Sequence, residues 1–402
     1  MKKQKHHSTF SKCLFALLLT LVYSCTGDKE KSKISKEGPF KIDLVEAYSN
    51  RGELQLSTFA KSIEYISLEA NQNALIDGYP SFYLTKDRII SSAFRQLYSF
   101  DRTTGRFLTE VKRYGEGPDE YRNTHPALGF NEEDSAFYVS KEPSLIWQLN
   151  QNGDVTDKIE IPTGQNYIMG FTKLSDDLFV GYNANPVCEQ KNRLTVFNRS
   201  GKTIKAYPNP LSCTHDMSNG FSFDSSEGQF FRDNGAVYFK ETFNDTLFHV
   251  SSETISAHLV FDSKNHGIPY EDKTKFIEKE SKYDRYQPAV VDVNNEYIFF
   301  QLSTKDQTFN GIFSKETREA QLSDLGNTEM HGFANDIDNF LPFVPQYATD
   351  NNKLVGYMEA PDVLAWFSEN SEKAAKLPPE LKQLGKLKMD DNPVVMIVNL
   401  KD

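Results

Sequence analysis

Apolar residues recur along this chain in short runs, and the runs come in sets. Arg88-Ile89-Ile90-Ser91-Ser92 is followed by Leu97-Tyr98-Ser99-Phe100-Asp101, a turn at Arg102-Thr103-Thr104-Gly105, and Arg106-Phe107-Leu108. Ala136 to Val139 is followed by Ile146 to Asn150 and Gln151-Asn152-Gly153; Leu178 to Gly181 by Leu194 to Asn198 and Arg199-Ser200-Gly201. Ala236 to Phe239 precedes Asn244 to Val250, Glu296 to Phe300 precedes Asn310 to Lys315, and Lys353 to Tyr357 opens a sixth set. Within each run the apolar positions alternate as in a half-buried strand. The Gly, Asn, Asp and Ser between runs suit hairpins.

The sets begin near Arg88, Ser135, Asp177, Gly235, Asn295 and Asn352, spaced 47, 42, 58, 60 and 57 residues apart. Units of roughly 40–50 residues with about four strands each are the signature of β-propeller blades. The spacing therefore predicts an all-β, six-bladed β-propeller of four-stranded antiparallel blades. The last unit is interrupted. Asp362 to about Leu384 reads as helical, broken at Pro378-Pro379, and Asn392 to Leu400 reads as the next strand. Ile63 to Leu68 precedes the first unit and has no blade of its own; placed on the last blade, this N-terminal strand closes the ring and removes an open edge. A second short helical insertion is expected over Glu271 to Tyr283.

Before the repeats the pattern is different. Met1-Lys2-Lys3-Gln4-Lys5 is basic, Leu14 to Val22 is apolar, and Tyr23-Ser24-Cys25 follows. That order is a secretory signal, too short to span a bilayer permanently. A small residue before Cys25 resembles the lipobox of bacterial lipoproteins, in which the cysteine is lipidated and becomes the mature N-terminus. The division that follows is residues 1–25 as lipoprotein signal peptide, 26–40 as flexible tether and 41–402 as propeller. The other reading is an ordinary cleaved signal.

Composition narrows the partners. The net charge of -11 argues against nucleic acid and against electrostatic docking on anionic lipid. Aromatics at 13% suit strands. Cys188 and Cys213 lie in Pro/Asn-rich segments, and an exported protein can keep a disulfide between them; unpaired thiols are the alternative.

Gly115-Glu116-Gly117-Pro118-Asp119-Glu120-Tyr121 resembles the G-x-G-P-G-E-Y/F segment of the six-bladed β-propeller lipoproteins of Bacteroidota, a mostly uncharacterised group related in fold to NHL-type and TolB-like propellers. Asp119 stands where that segment has its second glycine. Asn244-Asp245-Thr246-Leu247 and Asp391-Asn392-Pro393-Val394 are similar to the N-D-T and D-N-P-V segments of the same group. The resemblance runs from about Ile42 to Leu400 and implies the fold and an envelope location. It assigns no activity.

The candidate chemistry is sparse. Glu116, Glu120, Tyr121 and Arg122 form a candidate binding rim, or else a turn fixing blade against blade. His125 and His331 fall in segments that join blades, where propeller ligands often bind. Tyr283, Arg285 and Tyr286 put aromatics beside an arginine, a combination common at binding hot spots; the alternative is packing of a long loop. No His pair has metal-ligand spacing, and no nucleophile elbow, P-loop or dinucleotide fingerprint is present, so neither metal nor cofactor is expected. The sequence therefore points to a lipid-anchored cell-envelope protein, with the outer membrane as the expected site and membrane lipid engaged through Cys25. Its propeller is expected to bind a ligand, an envelope protein or glycan, without catalysis. The alternative is a hydrolase or lyase acting on a glycan or lactone at the channel mouth.

Overall fold

A computed structural model describes residues 38–401 apart from 94, 123–129, 133–134, 143, 163–167, 215–226, 274–284 and 350–351. Cys25, His125 and Tyr283 lie outside the described residues.

Six antiparallel sheets follow one another along the chain. Blade 1 comprises Ser81–Leu84, Arg88–Ala93, Gln96–Asp101 and Phe107–Glu110; blade 2, Phe130–Asn131, Ala136–Glu142, Leu145–Leu149 and Val155–Glu160. Blade 3 comprises Ile168–Ser175, Leu178–Asn183, Asn192–Asn198 and Thr203–Pro208; blade 4, Gly228–Asp233, Ala236–Glu241, Thr246–Val250 and Ile255–Asp262. Blade 5 comprises Gln287–Val293, Tyr297–Ser303, Thr308–Ser314 and Ala320–Leu322; blade 6, Pro345–Thr349, Lys353–Met358, Val394–Leu400 and, as its outer strand, Ala60–Ser67. The chain folds as a six-bladed β-propeller. The first strands of neighbouring blades lie against one another and form the inner ring.

The closing strand pairs from Ala60 opposite Leu400 to Ser67 opposite Val394. This is the closure expected from Ile63 to Leu68. The interruption in blade 6 is α-helical, Ala360–Glu369, followed by the short helices Ser371–Ala374 and Pro379–Lys382, and the chain breaks at Pro378. Of the insertion expected over Glu271 to Tyr283, the described part is a single 3-10 turn at Tyr270–Asp272.

The strands differ from the half-buried alternation read from sequence. In Leu178–Asn183 and Ala236–Glu241 every residue but the first is buried, and in Val394–Leu400 all but Asn399. The reason is packing between blades. Each of the six apolar clusters draws mainly on two adjacent blades, so second and third strands are covered on both faces. Phe179 and Phe197 of blade 3, stacked at 5.8 Å, pack with Tyr138 and Ile146 of blade 2. Each such buried ring contributes about 1.5–3 kcal/mol. Alternation survives in some strands, such as the outer strand Val155–Glu160 and the inner strand Ser81–Leu84.

The turn glycines have a second duty. Gly153 has φ +84, and a Cβ there would lie 1.6 Å from the Val111 carbonyl oxygen at the end of blade 1. A side chain would collide with the preceding blade as well as strain the backbone.

The chain enters along the outside. Phe40–Asp43 adds a fifth strand to blade 4, parallel to Ile255–Asp262. The helix Leu44–Ser49 follows, capped by the Asp43 carboxylate, which accepts from the Val45 and Glu46 N–H groups. Bridges of Gly52 to Ser323 and Gln55 to Ala334 carry the segment past blade 5 to the closing strand.

Candidate functional site

In an antiparallel blade, the second-to-third loops and the connections to the next blade share one end of the propeller. That end holds every candidate rim residue that the structure describes. The Gly115 to Arg122 segment is built as a turn. The Glu120 carboxylate folds back to accept the Gly117 N–H at 2.8 Å, and a Cβ on Gly115 would sit 2.0 Å from that carboxylate. Tyr121 is 0% exposed and packs on Tyr114 and the blade 1/blade 2 core. Lys141 of blade 2 donates to the carbonyls of Gly117 and Glu120, and the Arg122 N–H donates to the Ser140 carbonyl. The segment therefore staples blade 1 to blade 2. Tyr121 and Glu120 are withdrawn from the rim, because the glycines draw the carboxylate inward; Glu116 and Arg122 stay exposed.

His331 is also internal. Its ring stacks on Phe309 at 4.3 Å, and Nδ1 accepts the Leu325 N–H at 2.9 Å, which places the proton on Nε2. Burial lowers its pKa and keeps the ring neutral. Tyr286 is buried and stacks on His266 at 4.5 Å. Arg285, next to it, is half-buried. His331 and Tyr286 thus serve packing, which the sequence left open as the alternative for Tyr286 alone.

A charged cluster that the sequence did not reveal lies at this end between blades 3 and 4. The Arg193 Nε is 3.1 Å from the Glu241 carboxylate, and Arg193 Nη2 donates to Asn209 Oδ1 at 3.0 Å. Tyr182 donates its hydroxyl to Glu241 at 3.1 Å, Lys240 donates to the Glu241 carbonyl at 2.7 Å, and Lys273 pairs with Glu227. Burial raises the Glu227 and Asp245 carboxyls, lowers Lys240 to about 8, and holds the Tyr182 phenol well above its ordinary value. Such shifts mark functional sites in accessible clefts. Here Glu241 is 0% exposed and Arg193, Tyr182, Glu227, Lys240 and Lys273 are buried, with only Asn209 and Asp245 half-buried, so the network binds blade to blade. Cys188 and Cys213 are joined beside it, with Cα atoms 5.3 Å apart. The bond ties the blade 3 second-to-third loop to the connection into blade 4. There Asn185 and Asn209 both donate to the Tyr270 hydroxyl.

Polar groups of the inner ring also join blades. The Tyr347 hydroxyl accepts the Leu84 N–H at 2.6 Å, Asp292 accepts the Ala348 N–H at 2.5 Å, and Arg232 donates to the Lys173 carbonyl.

The surface feature at this end is the connection from blade 6 to blade 1. Asn392 holds it from one side: Oδ1 accepts the Ile76 N–H at 2.9 Å, and Nδ2 donates to the carbonyls of Glu69 and Ala74 at 2.7 and 2.5 Å. Gln96 holds it from the other, donating to the Leu75 carbonyl and accepting the Asp77 N–H, both at 2.9 Å. Gln346 donates to the Pro80 carbonyl at 2.8 Å. Ala74 and Leu68 are buried beneath. Above these three amides the loop presents Tyr79, 96% exposed, and Leu75, 49% exposed. Met389, on the segment leading to Asn392, is exposed too.

Next to this loop the blade 6 helix begins. Tyr357 packs edge-on against Phe82 at 5.4 Å. Its phenol is raised first by burial, then by the charges of Glu359, Tyr79 and Asp362. Among the described residues, neither Glu359 nor Asp362 has a cationic partner. Burial and Asp362 raise the Glu359 carboxyl. No group of three or more potential metal ligands occurs among the described residues, and no described helix is long and apolar enough to cross a membrane.

A family model described as "Domain of unknown function (DUF4934)" matches residues 39–399. Among solved structures, the chain is similar to a Bacteroides fragilis protein described as a "Putative exported protein", with 13% identity, a TM-score of 0.67, and coverage of 90% of this chain and 99% of that one. It also aligns with a member of the DUF4221 family from Bacteroides vulgatus at 11% identity, covering 88% and 99% of the two chains with a TM-score of 0.46. The first likeness supports the propeller fold. No curated protein matches the chain.

Proposed function

The chain belongs to the DUF4934 family, and we propose that it is an exported lipoprotein of the outer membrane whose propeller binds an envelope partner without catalysis. The basic start, the apolar run Leu14 to Val22 and the Ser24-Cys25 junction support export and lipidation. A single acyl chain holds a protein to a membrane only marginally, so stable anchoring requires several chains on Cys25.

One observation carries the binding reading: Tyr79 is almost fully exposed on a loop that three amide side chains hold in place. A mobile loop loses entropy when a partner orders it, whereas a held loop has little left to lose. An aromatic ring presented this way is what binding surfaces use as an anchor. By contrast, the convergent charges between blades 3 and 4 are sealed from solvent, which weighs against catalysis there.

The test is a photo-reactive amino acid at position 79 of the full chain in cells, with Lys202 at an exposed hairpin as the control position. A discrete adduct at 79 and none at 202 is the expected result. Equal or absent adducts at both positions would overturn the reading. For the anchor, Cys25→Ser should leave a folded protein that no longer fractionates with membranes; retention with membranes would count against lipidation.

A further inference from the structure

The disulfide stands at the outer end of a run of contacts that leads inward to the charges between blades 3 and 4. We propose that Cys188–Cys213 is a redox latch: the bond, formed after export, seals the Arg193–Glu241 pair, and its reduction opens that seam to water.

The contacts are continuous. Asn185 Nδ2 lies 3.9 Å from Cys213 Sγ and 3.5 Å from the Tyr270 hydroxyl. Asn209 donates to the same hydroxyl at 2.9 Å, and its Oδ1 accepts from Arg193 Nη2 at 3.0 Å. Arg193 Nε is 3.1 Å from one Glu241 oxygen, and the other accepts the Tyr182 hydroxyl at 3.1 Å. Exposure falls along the run: both cysteines are half-buried, whereas Asn185 and Arg193 are buried and Glu241 is fully enclosed. The sulfurs are therefore the members that a thiol reagent meets first.

The bond is also what holds the outer end. Pro210, Leu211, Ser212 and Thr214 are exposed, so the connection toward blade 4 has little packing here apart from Cys213. Across from it Cys188 has φ +62, a left-handed conformation that a residue with a Cβ keeps only where its surroundings hold it. Its loop closes on Asn185, whose Oδ1 accepts the Gln190 N–H at 2.8 Å and whose carbonyl accepts the Cys188 N–H at 3.4 Å. Breaking the bond releases the connection and lets the Cys188 backbone relax. Asn185 and Asn209 then lose their shared hold on Tyr270, and Arg193 loses the support of Asn209. A buried ion pair depends on such hydrogen bonds to offset its desolvation.

The chemistry is thiol–disulfide exchange. One cysteine thiolate attacks a disulfide oxidant and expels one thiolate, and the second cysteine thiolate then displaces the other. The two protein thiols lose two electrons and two protons, and the oxidant becomes a dithiol. A dithiol reductant runs the same steps backwards. Cytosolic thiols are kept reduced, so the seam closes only once the chain is exported.

The experiment compares hydrogen exchange of the full-length chain in detergent before and after reduction with dithiothreitol, below the unfolding temperature. In the reduced chain, exchange over residues 180–185, 192–198 and 238–245 should quicken by about tenfold or more, because local opening of the seam becomes the route of exchange. The blade 6 strands Ala60–Ser67 and Val394–Leu400 should keep their protection, and reoxidation should restore the seam. Cys188→Ser with Cys213→Ser should show the reduced pattern without reductant. Asn185→Ala should show it with the bond intact. Reduction of the folded wild-type chain gives the same readout where a variant does not accumulate. Unchanged exchange on reduction, faster exchange confined to residues 186–191 and 210–214, or an equal rise in blade 6 would each overturn the proposal, because the bond would then be inert, a local staple or a general stabiliser. Full protection of the seam in Asn185→Ala would overturn it too, since the run of contacts would not be what joins the latch to the ion pair.

Discussion

Replacing Asn392 tests whether the Tyr79 loop is held as described. Its side chain satisfies three backbone groups at once, two carbonyls and one N–H, in a site where Asn392 itself is buried. Asn392→Ala removes all three bonds. Each is worth about 1 kcal/mol net, and a buried group left unpaired costs about 1–3 kcal/mol, so roughly 3–5 kcal/mol is expected. At about 2.1 cal/mol/K per residue over roughly 320 described residues, the unfolding entropy is about 0.7 kcal/mol/K, and Tm should fall by about 4–7 °C. Asn392→Asp is the sharper probe. It keeps the shape and the acceptor toward Ile76 but turns an oxygen toward the carbonyls of Glu69 and Ala74. It should therefore be at least as destabilising as alanine despite being isosteric. Hydrogen exchange across residues 69–80 would show whether the loss appears as loop opening or as global unfolding. Opening of the loop in both variants should also weaken whatever Tyr79 binds. Wild-type stability and wild-type loop protection in Asn392→Asp would refute the reasoning, because the two donor bonds would then have no measurable value.

Three further outcomes are expected. Gly153→Ala should destabilise by more than about 3 kcal/mol in chemical denaturation, since its Cβ meets the Val111 carbonyl at 1.6 Å, whereas Gly235→Ala, with similar φ and open space, should cost only about 1–2 kcal/mol; equal costs would show that close approach of blades is not the constraint. Arg193→Met should cost about 3–5 kcal/mol by leaving Glu241 buried without its cation, and Arg193→Met with Glu241→Leu should recover most of that loss, read as a double-mutant cycle. His258, packed between Phe40 and Tyr238, has its pKa lowered by burial to about 4. The unfolded chain binds the proton first, so this group's stability is full above about pH 6.5 and is lost as pH falls toward 4, by about 2–3 kcal/mol; His258→Phe should flatten that part of the pH–stability curve, and an unchanged slope would remove His258 as its source.

The six units were legible because second and third strands carry most of the apolar residues and their turns need Gly or Asn. Leu178–Asn183 and Asn192–Asn198 read as strands from their own residues. The first strands did not. Phe130–Asn131 has two residues, and Pro345–Thr349 is mixed in polarity because its side chains face the inner ring, where Tyr347 bonds to a neighbouring blade. Phe40–Asp43 was missed for a similar reason: four residues become a strand only when Ile255–Asp262 offers an edge.

The candidate site shows the same division. The G-x-G-P segment was visible as a motif, yet its two readings differ only in where the Glu120 carboxylate points, and that depends on Lys141 and Ser140 of the next blade. The charged cluster had a faint signal, the Lys240-Glu241 pair ending an apolar strand, but its partners Arg193, Glu227 and Lys273 are distant in sequence. Tyr79 gave none, since exposure depends on what the rest of the chain leaves uncovered. By itself, then, the sequence determined the blade count and the closing strand, because periodicity and local hydrophobicity are properties of neighbouring residues. Only the tertiary structure decided which polar groups are sealed between blades and which face solvent, because burial is a property of residues that meet across them.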